Sequence, residues 1–380
     1  MKITVDRALL TEALHKVLPV IASRTTIPVL GNVLLSVKDK KLLLMTTDLE
    51  ICISCNLFGE VERDGKSKPV FEADGEGEIT LPARKFGQMA DSLVGENVRI
   101  EWDDALATNI VSGPTRYKMT GLDPHEFPRE PEFQEDRKLT LAGMEFGKTL
   151  RKIAYAVSVD QSRYVLNGIL LSVRGGNFTA VATDGRRLAL VEKPLEDAAN
   201  IPEGDCILPI KVCNELQHLL AAEGDVVARL SEARASFTVT APNGNTVIST
   251  RLVDGTYPNY RQVIPAAFNN HVVVAREKLG EVLSRVCVVV TDAGGSVKFN
   301  LSKGALELSA VSSDVGEASE SLEVSYDGEA VRIAFNPTFL KEPLKSLEAD
   351  QLTLRFNDEF KPVVLLGDEG FLYVLMPMRN

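Results

Sequence analysis

Residues that build metal centres and disulfide frameworks are scarce in this chain of 380 residues. Its five cysteines are an odd number, which does not match a disulfide framework and fits a reducing compartment. None of its histidines stands in the HxxxH or HExxH spacing that binds zinc. The sequence therefore predicts neither a metal nor a cofactor, and structural or surface roles for the four histidines, His15, His125, His218 and His271.

Long apolar runs are also missing. No run of about 18 apolar residues could span a bilayer, and the opening MKITVDRALL lacks the basic start and apolar core of a secretion signal. The sequence therefore predicts a cytoplasmic protein. Its 44% hydrophobic and 25% charged residues are typical of a soluble globular protein, and its length predicts two or three domains. The net charge of −11, taken alone, argues against nucleic acid as a partner.

Two short motifs resemble catalytic or redox sites but fail on spacing. The segment GMEFGKT, from Gly143 to Thr149, has three residues between its glycines, whereas a phosphate-binding loop needs four. A phosphotransferase built around Gly147 and Lys148 therefore remains only a rival hypothesis, which measured nucleotide binding would favour. Cys52 and Cys55 form a CxxC within a predicted strand, where residues three apart face opposite sides and do not share a metal.

The sequence does contain one pattern that is repeated three times. Residues 165–190 read VLNGILLSVRGGNFTAVATDGRRLAL, and residues 29–48 read VLGNVLLSVKDKKLLLMTTD, at an offset of 136 residues. A fainter copy, SVKFNLSKGALELSAVSSDVG, carries Asp314, 130 residues beyond Asp184. A period of about 130 residues has the size of a domain rather than of a solenoid repeat. The aspartates at the repeated strand ends, Asp48, Asp184 and Asp314, are expected to cap turns rather than to form an acid–base pair.

Two amphipathic helices are predicted in every repeat. The first helices fall in windows 6–21, 142–157 and 275–287, and the second in windows 83–95, 209–222 and 336–347. Each second helix has a proline near its first turn, namely Pro82, Pro209 and Pro337. Alternating segments such as VRIEWDD, FTVTAP and LTLRFN indicate strands. The order helix, strands, helix, strands predicts three domains, over residues 1–135, 136–268 and 269–380, joined by polar linkers.

Charge is distributed unevenly between the helices and the rest of the chain. The six helical windows hold thirteen basic and eight acidic residues, a sum of +5, whereas the remainder sums to −16. One such helix usually presents a solvated face, but six of them in an acidic protein favour a basic surface that contacts DNA phosphates without reading bases. This charge also speaks against a second rival, a static repeat scaffold that binds peptides and never encircles DNA.

Four segments, taken in order, resemble the family of the bacterial DNA polymerase III beta subunit, the sliding clamps: YVLNGILLSV, AVATDGRRLAL, RLVDGTYPNYRQVIP and YVLMPMRN. The resemblance extends over essentially the whole chain. It implies an α+β DNA-clamp fold, in which three similar domains of two helices packed on antiparallel sheets form a six-domain ring as a head-to-tail dimer. It also implies a non-catalytic processivity factor that encircles duplex DNA, independently of the DNA sequence, and tethers the replicative polymerase. Implied partners are the DNA polymerase III alpha subunit, the clamp loader delta subunit, and other polymerases and repair proteins with clamp-binding motifs.

The resemblance further implies a client-peptide pocket between the second and third domains. Carried over position by position, it comprises Leu166, Thr183, Gly185, Arg186, Arg187, Leu188, Pro258, Val263, Asn336, Phe339, Phe360, Val374, Met376, Pro377, Met378 and Arg379. Its apolar walls would accept leucine or phenylalanine anchors, and Arg187 and Arg379 would bond the peptide backbone or an acidic flank. The alternative is that residues 374–378 form an ordinary buried strand. The chain departs from the family at Gln262, where arginine is common, and at Gly294, where a bulky side chain is expected.

DNA contacts and a dimer interface also carry over from the family. Arg24 and Tyr164 occupy positions that touch the duplex, whereas Asp160 and Val165 replace polar or aromatic residues there. The dimer interface is expected to join two residues of the first domain to two of the third, which are Tyr117, Met119, Val288 and Val289. These apolar residues equally fit an ordinary core, which sequence alone favours. A molecular mass measured in solution separates the readings, because the ring requires a dimer.

Overall fold

A computed structural model describes residues 1–22, 25–63, 66–129, 137–195, 201–220, 224–291 and 294–379. Each repeat begins with a strand and a helix, continues with a group of strands, and ends with a second helix and three strands. The predicted order is confirmed except for the opening strand, which the sequence analysis missed. Its short alternating segments, KITVD, RKLTLA and NHVVVA, carried a signal for it.

Among the described residues, the first repeat carries an insertion of strands that the other two lack. Its elements are β1 (Lys2–Asp6), α1 (Arg7–Val17), β2 (Asn32–Lys38), β3 (Lys41–Thr47), β4 (Ile51–Leu57), β5 (Glu60–Arg63), β6 (Lys66–Pro69), β7 (Phe71–Ala73), β8 (Gly77–Pro82), α2 (Ala83–Ser92), β9 (Asn97–Trp102), β10 (Ala107–Ser112) and β11 (Thr115–Thr120). Strands β5, β6 and β7 form the insertion. Helix α1 begins after Asp6, whose side chain accepts the Leu9 N–H at 3.1 Å.

The second and third repeats follow the same order. The second contains β12 (Arg137–Ala142), α3 (Gly143–Ile153), β13 (Gly168–Arg174), β14 (Asn177–Thr183), β15 (Arg187–Pro194), β16 (Gly204–Pro209), α4 (Ile210–Leu219), β17 (Asp225–Leu230), β18 (Arg234–Ala241) and β19 (Gly244–Arg251). The third contains β20 (Asn270–Ala275), α5 (Arg276–Val286), β21 (Val297–Ser302), β22 (Ala305–Ser312), β23 (Gly316–Glu323), β24 (Val331–Phe335), α6 (Pro337–Ser346), β25 (Gln351–Phe356), β26 (Val363–Leu366) and β27 (Phe371–Leu375). All six predicted helices are therefore present, and Pro337 occupies the first turn of α6.

The chain divides into two compact units, one of residues 1–147 with 214–252 and one of residues 148–213 with 253–380. The first unit contains an eight-stranded sheet, β12-β17-β18-β19-β4-β3-β2-β8, and a five-stranded sheet, β11-β10-β9-β1-β7. The second contains an eight-stranded sheet, β16-β13-β14-β15-β27-β26-β25-β20, and a four-stranded sheet, β23-β22-β21-β24. Each long sheet combines half of one repeat with half of the next, through antiparallel pairing of β4 with β19 and of β15 with β27.

The helices bury one apolar face each against these sheets. In α1 the buried residues are Leu10, Ala13, Leu14 and Val17, at the spacing expected for one helical face. In α5 they are Leu279, Val282, Leu283 and Val286. Because burial of this face removes apolar surface from water, the helices are fixed on the sheets, and some of their basic side chains, such as Arg151 and Lys278, remain exposed.

Candidate functional site

Seven of the sixteen residues in the predicted pocket line one groove of about 310 Å³ in the second unit: Arg186, Asn336, Phe339, Met376, Pro377, Met378 and Arg379. The segment after β27 forms one side of the groove. Its Met376 N–H donates to the Arg186 carbonyl at 3.0 Å, and its Met378 N–H donates to the Ala334 carbonyl at 2.7 Å. These two bonds fix the segment between the turn before β15 and the end of β24.

Phe339 forms an apolar wall of the groove and lies in the first turn of α6. That helix is capped by Asn336, whose Oδ1 accepts the Thr338 N–H at 2.9 Å. The Phe339 carbonyl accepts a hydrogen bond from the hydroxyl of Tyr373 at 2.8 Å. Burial raises the pKa of Tyr373, so its hydroxyl stays a neutral donor. The wall is therefore held by both the cap and strand β27.

Arg187 lies behind the groove, and its side chain is only 8% exposed. Its guanidinium bonds to Asp184 at 3.0 Å, to Glu342 and to the Tyr155 carbonyl, and its Cζ lies 4.2 Å from the centroid of the Phe339 ring. Three of its five N–H donors are engaged within the chain, so the predicted bond from Arg187 to a peptide stays a prediction. Arg187 also holds Phe339 in position by cation–π and ionic contacts.

Thr183 and Gly185 form the turn that presents Arg186 to the groove. The Thr183 hydroxyl donates to the Arg187 carbonyl at 2.6 Å, and Asp184 Oδ1 accepts the N–H groups of Arg186 and Arg187 at 2.8 and 3.0 Å. The same turn occurs in the first repeat at residues 47–51, where Asp48 Oδ1 accepts two N–H groups at 3.1 and 2.8 Å. The predicted capping role is thus confirmed for Asp48 and Asp184, whereas Asp314 contacts only serines in the described residues.

The remaining pocket residues lie in two different surroundings. Leu166, Leu188 and Val374 are buried, and the last two belong to a core cluster with Leu170 and Ile207. Val374 is therefore a buried residue of strand β27, whereas the residues after Leu375 leave the strand and line the groove. Three predicted residues are exposed outside the groove lining, and these are Pro258, Val263 and Phe360.

The two departures from the family pattern are also exposed. Gln262 belongs to a short 3₁₀ turn, Tyr260–Val263, near the exposed Val263. A Cβ added to Gly294 would meet no atom within 4 Å, so the absence of a side chain there leaves open space at the surface. Neither residue lines the groove.

Of the two predicted DNA contacts, Tyr164 is exposed and Arg24 lies outside the described residues. Tyr164 belongs to a 3₁₀ segment, Gln161–Leu166, that begins after Asp160. Asp160 bonds to the neighbouring Arg163 at 3.0 Å, so its charge is partly compensated. The structure thus leaves the ring of Tyr164 accessible to a ligand.

The four residues of the predicted dimer interface differ in exposure. Met119 is 8% exposed and packed within its own repeat, and Tyr117 places its hydroxyl 2.9 Å from Ser92 of α2. Val288 is 74% exposed, and Val289 is half-buried in the 3₁₀ turn after α5. Met119 is therefore buried within its own chain, whereas Val288 presents an apolar side chain to solvent.

The structure also shows where the two motifs that resembled a phosphate-binding loop and a metal or redox site lie. GMEFGKT lies in helix α3, as its repeat partners predicted, and Cys52 and Cys55 are both buried in β4. Among the described residues, no group of three His, Cys, Asp or Glu side chains is placed to hold a metal ion. In that same part of the chain, no helix is long and apolar enough to cross a membrane.

Sequence reasoning missed the residues that support the groove from behind, Tyr155, Glu342 and Tyr373. Tyr155 and Tyr373 are tilted rings with centroids 6.0 Å apart, and both phenols have pKa values raised by burial. Glu342 lies in α6, one turn beyond Phe339. No local pattern marked them, because their partners are distant in sequence.

Comparison with known proteins gives matches along the whole chain. Three family models match in order: the DNA polymerase III beta subunit N-terminal domain at residues 1–131, the central domain at 140–259 and the C-terminal domain at 261–379. The beta sliding clamp of Chlamydia muridarum is 31% identical, with 100% of this chain and 99% of that protein covered. The beta sliding clamp of Vibrio cholerae is 30% identical, with both chains covered completely.

Solved structures agree with the sequence matches. The DnaN sliding clamp of Bartonella birtlesii, bound to griselimycin, is 30% identical with a TM-score of 0.90, and both chains are covered completely. The DNA polymerase sliding clamp of Bacillus subtilis is 26% identical with a TM-score of 0.91, with 100% of this chain and 99% of that chain covered. Three successive domain matches and full-length relatives at 30% identity or more show that this chain belongs to the DNA polymerase III beta subunit family, the beta sliding clamps.

Proposed function

We propose that the chain is a sliding clamp for DNA replication that acts as a head-to-tail homodimer enclosing duplex DNA. The family is one of processivity factors without catalytic activity, and the helical conformation of GMEFGKT gives the rival phosphotransferase no phosphate loop. The proposal includes the cytoplasm as its location, where the chromosome of a bacterium lies.

The proposed dimer rests on the two strands at the ends of the shorter sheets, β11 and β23. Within the chain, β4 of the first repeat pairs with β19 of the second, and β15 of the second pairs with β27 of the third. Their counterparts are β23 in the third repeat and β11 in the first, and each pairs on one side only within the described residues. A second copy that pairs its β11 with β23 would repeat the junction used twice inside the chain.

Charge on these two strands supports the same pairing. Side chains facing the helices alternate with exposed ones, as the contacts of Tyr117 with Ser92 and of Glu320 with Arg285 indicate. On the opposite face β11 exposes Arg116 and Lys118, whereas β23 exposes Glu317 and Glu323. Pairing that keeps both helix-facing sets on one side brings these opposite charges together on the other.

Sedimentation equilibrium of the purified chain tests this proposal. A mass of twice the chain mass is expected at micromolar concentration, and a monomer would contradict it. We further propose that Val288, Val289 and the rim of Tyr117 lie at this interface, with Met119 supporting it from within its own repeat. The domain boundaries proposed from the sequence, 1–135, 136–268 and 269–380, stay part of the proposal.

We propose that the groove binds short peptides of replication proteins, with the DNA polymerase III alpha subunit and the clamp loader delta subunit as clients. Direct contact is assigned to the seven residues that line it, and a supporting role to Arg187, Leu188 and Val374. Met378→Ala should weaken binding of a client-derived peptide about fivefold or more, measured by fluorescence anisotropy. Leu306→Ala, buried in β22 and outside both the groove and its supporting cluster, is the control for loss of stability, and equal affinities of Met378→Ala and the unchanged chain would contradict the assignment.

DNA contact is proposed for Tyr164 and Arg24 and for the basic side chains of the helices. Tyr164 is exposed, and helices α3 and α5 carry Arg151 and Lys278 as exposed cations. Because these cations contact phosphates and not base edges, binding should show no sequence preference.

A further inference from the structure

A cavity of about 150 Å³ lies in the first unit, between α1 and the paired strands β4 and β19. We call it the α1 cavity. Its lining includes Leu9, Ala13 and Lys16 of α1, Cys55 and Leu57 of β4, and Thr246 of β19. The peptide groove belongs to the second unit, so the α1 cavity is a separate feature that the proposed clamp function does not use.

The second unit carries larger side chains at the corresponding place. In the first unit Cys55 of β4 pairs with Thr246 of β19. At the same register of the second unit, Val191 of β15 pairs with Phe371 of β27, and both side chains are buried. Because protein interiors are close-packed, threonine in place of phenylalanine leaves the first unit without one aromatic ring at a position that lines the cavity.

The two units also differ in the partner of one lysine. Lys16 and Lys152 have the same position in α1 and α3, 136 residues apart. Lys152 forms an ion pair with Asp368 in the hairpin between β26 and β27. The corresponding hairpin of the first unit, residues 241–246, reads APNGNT and contains no acidic residue. Lys16 bonds instead to Glu12 of its own helix at 2.7 Å, which uses one of its three N–H donors.

We infer that the α1 cavity binds a small monocarboxylate whose apolar body is about the size of a benzene ring. A cavity of about 150 Å³ has room for such a ring. The apolar body packs against Leu9 and Ala13, and the carboxylate accepts charge-assisted hydrogen bonds from Lys16. The ligand thereby supplies the ring and the carboxylate that the second unit takes from its own Phe371 and Asp368.

The polar groups beside Lys16 favour an anion over a cation. Asn245 Oδ1 accepts the Nδ2 group of Asn56 at 2.9 Å, which leaves the Nδ2 group of Asn245 as a further donor. Glu12 is the one carboxylate in the described lining, and its charge is compensated by Lys16. The Glu12 side chain is 59% exposed and the Lys16 side chain 27%, so the cation is the more buried charge of the pair. An anionic ligand therefore gains more from this site than a cationic one.

Three probes of similar size and different charge test the inference: benzoate, benzamide and benzylamine, which is a cation at neutral pH. Their affinities for the full-length chain are measured by ligand-detected NMR titration at low salt. Benzoate should bind at least about fivefold more tightly than benzamide, because only the carboxylate forms charge-assisted bonds, and benzylamine should bind most weakly. The advantage of benzoate should shrink at about 0.5 M salt.

Variants that fill the cavity locate the binding site. Thr246→Phe introduces the residue type that the second unit has at this register, and it should abolish binding of all three probes. Cys55→Leu fills the cavity from β4, and the same loss is expected if Thr246→Phe does not fold. Arg186→Gln removes a cation of the peptide groove and is the control, expected to leave the affinity for benzoate unchanged. Circular dichroism checks that each variant is folded.

Variants of the two charged residues identify the group that binds the probe. Lys16→Met keeps an apolar chain and removes the ammonium, so the affinity for benzoate should fall to that for benzamide. Glu12→Gln removes the competing carboxylate and should strengthen benzoate binding about two- to threefold, whereas weaker binding would contradict the inference. Lys278→Met, at an exposed position of α5, is the matched control and should leave all three affinities unchanged.

The inference is overturned if none of the probes binds, or if benzoate binds no more tightly than benzamide. It is also overturned if a folded Thr246→Phe or Cys55→Leu variant still binds benzoate. Loss of benzoate binding in Arg186→Gln has the same consequence, because the probe then occupies the peptide groove. None of these results bears on the proposed clamp function, which the mass of the purified protein tests separately.

Discussion

At the scale of single residues, the neighbouring Arg186 and Arg187 have different surroundings and different roles. Arg186 is exposed at the groove, whereas Arg187 is buried behind it with Asp184, Glu342 and the ring of Phe339. Residue type alone does not separate them, and the family resemblance implied that both belong to the peptide pocket. Burial and pairing distinguish them, because Arg187 uses three of its five N–H donors on Asp184, Glu342 and the Tyr155 carbonyl, whereas Arg186 is exposed.

Arg187→Gln should destabilise the chain and weaken the groove together. The variant leaves Glu342 and Asp184 without their shared cation and removes the contact with Phe339, a loss of about 2–4 kcal/mol. Both carboxylates are partly exposed, so the loss should lie near the lower end. Urea unfolding followed by circular dichroism measures it, and Arg186→Gln is the matched control, expected within about 0.5 kcal/mol of the unchanged chain. An unchanged urea midpoint in Arg187→Gln would contradict the buried pairing.

Asp368 gives a prediction with a defined dependence on pH. It bonds to Lys152 of α3 and accepts the N–H groups of Glu348 and Ala349 at 3.0 and 2.7 Å. Burial alone would raise the pKa of Asp368, but the bonds from Lys152 and from the two N–H groups outweigh it, so the pKa is lowered. A lowered pKa in the folded state stabilises the fold above the ordinary aspartate pKa, and this stability is lost as the pH falls through the lowered value.

Asp368→Asn should therefore cost about 1–3 kcal/mol at neutral pH, with a difference from the unchanged chain that narrows below about pH 4. Urea midpoints at a series of pH values measure this. Asp350→Asn, at an exposed position, is the control and should show little difference at any pH. If the difference in stability between Asp368→Asn and the unchanged chain stays constant below about pH 4, the ionised carboxylate of Asp368 does not stabilise the fold.

At the scale of elements, local patterns predict the helices well and the sheets poorly. Helix α6 is marked by Pro337 and by its apolar spacing, and the structure begins it at that residue. The pairing of β4 with β19 joins residues about 190 positions apart, and no local period specifies it. The short opening strands were missed for a related reason, since five or six residues before a helix give a weak alternation.

The same limit explains what was predicted of the groove. The segments that supply it, around Arg186, Phe339 and Met376–Arg379, were identified through family resemblance, and the structure brings them together. The division between lining and supporting residues could be seen only in the structure. Val374 and Met376 are close in sequence, but Val374 lies within β27 and is buried, whereas Met376 follows the end of the strand and is exposed.

Exchange of charge between the edge strands tests the proposed interface. Arg116→Glu with Lys118→Glu should place four acidic side chains on the paired face and split the dimer, weakening it about 100-fold or more. Glu317→Lys with Glu323→Lys should do the same with four basic ones. All four substitutions in one chain should restore the dimer, because the charges are again opposite.

Sedimentation equilibrium of the three variants measures the result, and the fourfold variant serves as the control for folding. The interface would lie elsewhere if the variant with all four substitutions were folded but monomeric, or if either double variant stayed dimeric.

At the scale of the whole molecule, weak attraction for DNA and firm retention on it are compatible. The helical windows sum to only +5 in a chain of −11, so direct binding to phosphates should be weak and fall steeply with salt. A ring that encloses the duplex does not depend on that attraction, because escape requires opening of the ring or a free DNA end.

The protein, once loaded on closed circular DNA, should therefore remain there in salt that abolishes direct binding to short duplexes. A single cut in the circle should release it, because a ring held by topology slides off the end. Retention of labelled protein on the same plasmid, intact and linearised, measures this at raised salt. The charge-reversed monomer, Arg116→Glu with Lys118→Glu, is the matched control and should be lost from both forms. Equal loss of the unchanged protein from both plasmids would mean that electrostatic adhesion alone holds it, and the enclosing ring would be wrong.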